Sequence, residues 1–245
     1  MSAPPPARME TGPGQVAVHA LGGLSVFQPG PPRTSLDGPW LEQRPGDLLA
    51  LLVAERERAL AAEEIAEVLW PGRGASALGT VHHFVSVLRD RLEPGRLRGR
   101  SDGAIATVGR GYRLGEHVVI DADRFALHAG EGLDAWRSGA RSRALRELGA
   151  ADRLYCGPFL GERDGPWVVL VERERLRALA SDVWRALADL AELVGDLDGA
   201  ARHLARLAAQ EPFDDDVRRR VAALAAQRQQ TEISCPSNGE QTDPS

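Results

Sequence analysis

The chain of 245 residues is long enough for two modest hydrophobic cores, since domains commonly reach about 100 to 150 residues. Its formal charge of −5 argues against a nucleic-acid partner only if charge is evenly spread, so the distribution has to be read locally. The two cysteines, Cys156 and Cys235, form neither a CxxC site nor a disulfide framework, and no window offers about 18 uninterrupted apolar residues. Composition therefore predicts a soluble, cytoplasmic protein and excludes a membrane or disulfide-scaffold class.

In chain order, residues 1–14 carry Pro4, Pro5 and Pro6 without periodicity and are expected to form a disordered leader. From Val16 to Phe27, short apolar runs broken by Gly22 and Gly23 predict two strands and a turn, followed by a loop over 28–39. Leu48, Leu49, Leu51 and Leu52 form the apolar face of a first helix with Asp47 in its first turn. Ile65, Val68 and Leu69 alternate with Glu63, Glu64 and Glu67 in a second helix, closed by Trp70. A third helix is predicted over 77–92, with Ser76 available as N-cap. Ile105 to Val108 and Tyr112 to Leu114 then read as strands joined by Gly109, Arg110 and Gly111.

Beyond His117 strand signals disappear, and alanine, leucine, arginine and glutamate recur at helical spacing through residue 228. Gly165 and Pro166 open a long helix with Trp167, Val171, Leu176, Leu179, Val183, Leu187, Leu190 and Val194 on one apolar face. Gly139, Ala144 and Leu148 match Gly195, Ala200 and Leu204 in spacing, a helical-hairpin repeat at an offset of 56 residues. Polar residues then predict a disordered tail over 229–245.

On the third helix Val81, Val85, Leu88 and Leu92 fall on one stripe. The opposite face holds Gly79, His83, Ser86, Val87 and Asp90, flanked by Thr80, His82, Arg89 and Arg91. Small and hydrogen-bonding residues in its first half suit a helix that approaches base edges in a major groove. From Arg73 to Arg113 eight arginines oppose three acids, a local excess of +5. Arg96, Arg98, Arg100, Arg110 and Arg113 surround the last hairpin, where a wing would meet phosphates. Helix, loop, helix and basic hairpin in that order predict a DNA-reading domain.

The stretches LGGLSVF (21–27), LLALL (48–52), EEIAEVLW (63–70), TVHHFVSVLRDRLEPG (80–95) and TVGRGYRL (107–114) resemble the OmpR-type winged helix-turn-helix of SARP antibiotic-pathway activators. DADRFALHAG (121–130), ADRLYCGPFLGERDGPW (151–167) and ERERLRAL (172–179) resemble the bacterial transcriptional activator domain (BTAD) that follows it in that family. The resemblance implies a mostly α protein: an α+β winged helix over 15–117, then an all-α, TPR-like domain over 118–228 that stops before the family's final hairpins, as in a truncated module. It further implies a recognition helix over 77–92, Arg110 at the wing tip, Tyr112 as an anchor in the wing strand, tandem direct-repeat sites and recruitment of RNA polymerase. Val87 stands where the family usually has a basic residue, and Asp47 where its first helix often begins with arginine or lysine.

Other constellations carry less. His82 and His83 point about 100 degrees apart on a helix and have no third metal ligand at i+4. Gly72-Arg73-Gly74 lacks the GK[ST] ending of a phosphate loop. Asp214, Asp215 and Asp216 suit a helix N-terminus better than a calcium loop, and Cys156, Trp167 and Trp184 are expected in the core. With no catalytic set in view, no enzyme and no cofactor are expected.

The reading is a sequence-specific DNA-binding regulator, by resemblance an activator of a biosynthetic gene cluster, cytoplasmic and nucleoid-associated. Its site residues are Thr80, His82, His83, Ser86, Arg89, Arg91, Arg110 and Arg113. Its partners are double-stranded DNA, RNA polymerase and a second copy as homodimer on DNA, with no membrane. The alternative is a helical interaction protein that does not bind DNA and modulates another regulator.

Overall fold

The computed structural model describes residues 14–28, 34–74, 76–94 and 103–234, with side chains described to residue 227. Residues 1–13 of the expected 1–14 leader, Arg96, Arg98, Arg100 and the end of the expected tail from Cys235 lie outside the described residues. The chain divides into two units, one of residues 1–130 with 150–180, the other of residues 131–149 with 181–245.

In the first unit, β1 (Val16–His19) pairs antiparallel with β2 (Ser25–Gln28), as the two apolar runs predict. Two departures follow. The expected loop over 28–39 contains β3 (Thr34–Ser35), which adds to β2, and leads into a 3-10 turn, Pro39–Glu42, that buries Trp40 and Leu41. Strand signals also do not end at His117. After the hairpin of β5 (Ile105–Val108) and β6 (Gly111–Leu114), β7 (Val118–Ile120) returns to lie parallel to β1. Three residues are too few to display alternation, so that pairing has no local signature.

Packed against the 3-10 turn and β6, α1 (Arg44–Ala54) is buried on nearly every side, with Leu48, Leu49, Leu51, Leu52 and Val53 almost wholly removed from water. Each such side chain stabilises by roughly 1.5 to 3 kcal/mol, so this helix holds the core on which the others are set. β4 (Leu60–Ala61) pairs with β6, and α2 (Ala62–Leu69) follows at once. α3 (Ser76–Leu92) begins at Ser76, whose hydroxyl donates back to the Arg73 carbonyl at 2.7 Å; Ser76 is the first helical residue and not the expected N-cap. Trp70 and Phe84 stack with ring centroids 5.6 Å apart and lock α2 against α3.

The first turn of α4 (Asp121–Arg137) and the segment 150–180 pack within the same unit. Asp121 is buried and accepts from the amides of Ala20 at 2.8 Å and Leu21 at 3.2 Å. Leu21 and Phe159 form an antiparallel bridge, with Gly22 N donating to the Pro158 carbonyl at 3.0 Å. Arg56 binds both Asp123 and Glu172, the latter at 2.7 Å, and Arg173 Nε donates to the Phe159 carbonyl at 2.9 Å. Cys156, expected in the core, is exposed; so is Trp167 at 74%, the first residue of α6 (Trp167–Leu193), and with it Val171 and Val194 from the two ends of the expected apolar face. Helical spacing places a side chain on a stripe, but it does not say whether another element covers that stripe at its end.

The second unit bears out the repeat. Gly139, after α4 and before α5 (Arg141–Leu154), has φ 77°; Gly195, after α6 and before α7 (Leu197–Gln210), has φ 76°. Around each, the next residue's amide reaches back to close the helix: Ala140 to the Ala135 carbonyl at 2.8 Å, and Asp196 to Ala191 at 2.9 Å. These are Schellman ends, and the left-handed glycine is what permits them. Ala144, Leu148, Ala200 and Leu204 are fully buried. Trp184 is buried as expected, with the Arg206 guanidinium 4.5 Å from its ring centroid. α8 (Asp215–Ser234) opens under Asp214, whose Oδ1 accepts from the amides of Asp216 at 2.9 Å and Val217 at 3.2 Å. The acids therefore do cap a helix, and the hydrogen bond from Val217 holds the Asp214 carboxyl below its usual range. The helix continues through residues 229–234, which composition assigns to the tail.

Candidate nucleic-acid interface

α3 buries the stripe its sequence predicts, Val81, Val85, Leu88 and Leu92, and Ala77 along with it. The opposite row, Gly79, His83, Ser86 and Asp90, is exposed, with Thr80 and Val87 half-buried beside it. Gly79 has open space where a Cβ would stand, so the first turns present a shallow backbone surface. Thr80, His83 and Ser86 are thus brought together on one outward face. His83 rests against the Phe84 ring at 5.3 Å.

The remaining expected residues go elsewhere. His82 and Arg89 turn toward the wing: the His82 ring meets Tyr112 edge-on at 6.3 Å, and the Arg89 guanidinium lies 5.7 Å from the same ring. Arg89 Nε donates to the Ile105 carbonyl at 3.0 Å and Nη2 to Thr107 Oγ1 at 2.7 Å. Tyr112 is accordingly the wing anchor the resemblance implies. Arg91 points to the other flank, over the Trp40 ring at 5.9 Å. An arginine stem is long enough to turn aside from its own helix face, so spacing alone could not assign these partners.

At the hairpin tip Arg110 is 90% exposed and 3.5 Å from Glu63 of α2. Arg113 lies one residue from Tyr112 on β6, so it projects from the opposite face of the hairpin, where Nη2 donates to Glu116 at 3.4 Å. Among the acids of α2, Glu64 is bound by Arg58 at 3.0 Å, and that hydrogen bond holds its carboxyl below the ordinary range. Asp47 is likewise engaged: Arg163 Nη1 donates to it at 2.8 Å and Arg44 Nη1 at 3.3 Å. α1 begins at Arg44, and Asp47 serves as an acceptor inside the fold, so it is not a missing phosphate contact.

Asp90 is the residue whose role sequence reasoning left unassigned. It sits in the exposed row with no hydrogen-bond or ion-pair partner among the described residues, next to two arginines that point away from it. Among the described residues no group of three His, Cys, Asp or Glu side chains could hold a metal ion, and no helix is long and apolar enough to cross a membrane.

An exposed helix backed by a two-stranded wing and joined to helical hairpins defines a winged helix-turn-helix followed by a helical-repeat domain. Family models agree: the transcriptional regulatory protein C-terminal domain matches residues 39–114, and the bacterial transcriptional activator domain matches residues 120–232. The chain belongs to the SARP family of transcriptional regulators, which joins these two domains.

Among curated relatives, the transcriptional regulatory protein MoaR1 of Mycobacterium tuberculosis is 31% identical over 177 residues, covering 69% of this chain and 55% of MoaR1. EmbR of the same organism is 31% identical over 140 residues, covering 54% of this chain and 35% of EmbR. The chain thus spans about half the length of MoaR1 and about a third of EmbR. The solved structure of Mycobacterium tuberculosis EmbR in complex with a low-affinity phosphopeptide superposes with TM-score 0.54 at 22% identity, covering 87% of this chain and 65% of that one, a likeness of fold.

Proposed function

We propose that this chain is a sequence-specific DNA-binding regulator that lays α3 in a major groove and the β5–β6 wing along the adjacent backbone. The observation that carries this reading is the outward row Gly79, His83, Ser86, open to solvent on a helix whose opposite stripe is fully buried. Close approach needs the small residues, and base edges need the donors and acceptors beside them. Arg110 at the wing tip supplies the phosphate contact. The finer reading follows the family: two protomers on direct-repeat sites near promoters, contact with RNA polymerase through the helical domain, activation of a biosynthetic gene cluster, and a place in the cytoplasm with the nucleoid.

A second reading is favoured by the engagement of Arg89, Arg91, Arg110 and Arg113 with partners inside the chain. In it the winged helix does not bind DNA, and the helices act on another regulator. Fluorescence anisotropy with duplexes from the chain's own upstream region, over a salt series, separates the two. The DNA reading expects a log-log salt slope of several units, whereas no binding to any promoter fragment at low salt, with a stable complex to another regulator, overturns it.

A further inference from the structure

We infer that Asp90 is a base-reading residue that accepts a hydrogen bond from the N4 amino group of cytosine; this rests on the DNA-binding reading above. Three observations converge on it. Asp90 is exposed in the same row as His83 and Ser86 and has no partner among the described residues. The guanidinium groups on either side of it in sequence are both held by the protein, Arg89 by Ile105 and Thr107 and Arg91 over Trp40, so neither neutralises it. Asp90 also stands in the last turn of α3, where the helix dipole disfavours a carboxylate. A residue that opposes the local rule, unpaired and facing outward on the reading face, is the kind of violation that marks a functional position.

The chemistry selects the base. A carboxylate accepts and does not donate, so guanine, with N7 and O6 acceptors, repels it. Adenine offers the N6 amino group, but its N7 acceptor lies beside it, whereas cytosine presents the N4 amino group without a neighbouring acceptor. Position follows from helix geometry. Asp90 is seven residues from His83, two turns and about 10 Å along the axis at 1.5 Å per residue, so the two side chains reach different base pairs. The cytosine is therefore expected within the same half-site as the base that His83 governs, displaced from it along the groove.

Selection of bound duplexes from a random-sequence pool, with the full chain and with Asp90→Ala, Asp90→Asn and His83→Ala, tests this. The expected result is a motif whose cytosine preference vanishes in Asp90→Ala and shifts toward adenine in Asp90→Asn, because an amide pairs with N6 and N7 together. Other positions stay unchanged, and affinity for the selected site falls roughly 5- to 100-fold in Asp90→Ala. If both Asp90 variants select the unaltered motif and bind every duplex more tightly, the carboxylate only repels phosphate and the inference is overturned while the DNA-binding reading stands. If the unmodified chain selects no motif, both fall together.

Discussion

Arg89 on α3 donates to Thr107 Oγ1 of β5 at 2.7 Å, and this bond, with a second from Nε to the Ile105 carbonyl at 3.0 Å, ties α3 to the β5–β6 hairpin. Arg89 thereby joins α3 to β5 through two acceptors, a backbone carbonyl and a hydroxyl. A guanidinium fork serves two acceptors at once, which an ammonium does not reproduce. In urea unfolding, Arg89→Ala and Arg89→Lys are both expected to lower stability, by about 1 to 2 kcal/mol for the alanine. A double-mutant cycle with Thr107→Val should give a coupling of about 0.5 to 1.5 kcal/mol; strict additivity would show that the contact does not form in solution.

Gly79 separates stability from recognition. It lies within α3 with open space at its Cβ position, so alanine removes the conformational cost of glycine in a helix. Gly79→Ala should stabilise by roughly 0.5 to 1 kcal/mol while weakening duplex binding, because a methyl group then stands on the approach surface. Thermal melting and anisotropy read the two effects; unchanged affinity would remove the first turns of α3 from the interface.

The wing makes a directional claim. Arg110 is 90% exposed at the tip, whereas Arg113 projects from the far face of the hairpin and donates to Glu116. Arg110→Ala should reduce the log-log salt slope by about one, and Arg113→Ala should leave it nearly unchanged. Equal reductions would mean that both faces of the hairpin meet phosphate. Glu63→Gln, by releasing Arg110, is expected to tighten binding to all sequences alike.

Asp121 links the chain's stability to pH. Burial pushes its carboxyl up to about 6, against the opposing amide hydrogen bonds from Ala20, Leu21 and Ala122. His19 Nδ1 stands 3.8 Å from Oδ2, too far for a good hydrogen bond, so desolvation prevails. Because the folded value lies above the unfolded one, near 3.9, the group's stabilising contribution is fully present below that lower value. It is lost as pH rises through about 6. Denaturant midpoints between about pH 4 and 7 should therefore fall more steeply in the unmodified chain than in Asp121→Asn. Parallel profiles would assign the carboxyl an ordinary value.

Legibility varied with the range of the interaction. α3, its buried stripe and its exposed row could be read from the 3.6-residue period, and the hairpin from Gly109, Arg110 and Gly111, because neighbours in sequence decide both. That Arg89 reaches Thr107 and Arg91 lies over Trp40 has no such local signal, since a long side chain chooses among partners that only the folded chain assembles.

What the sequence determined by itself was the order of helices and hairpins, the core stripes of α1 and α3 and the repeat around Gly139 and Gly195, all consequences of local periodicity and of glycine's left-handed turn. Only the tertiary structure decided that Val118–Ile120 joins β1, that Asp121 is buried against Ala20 at a separation of 101 residues, and that Cys156 and Trp167 are exposed. Those outcomes depend on which distant surfaces meet, and a pairing between remote segments leaves no period in either of them.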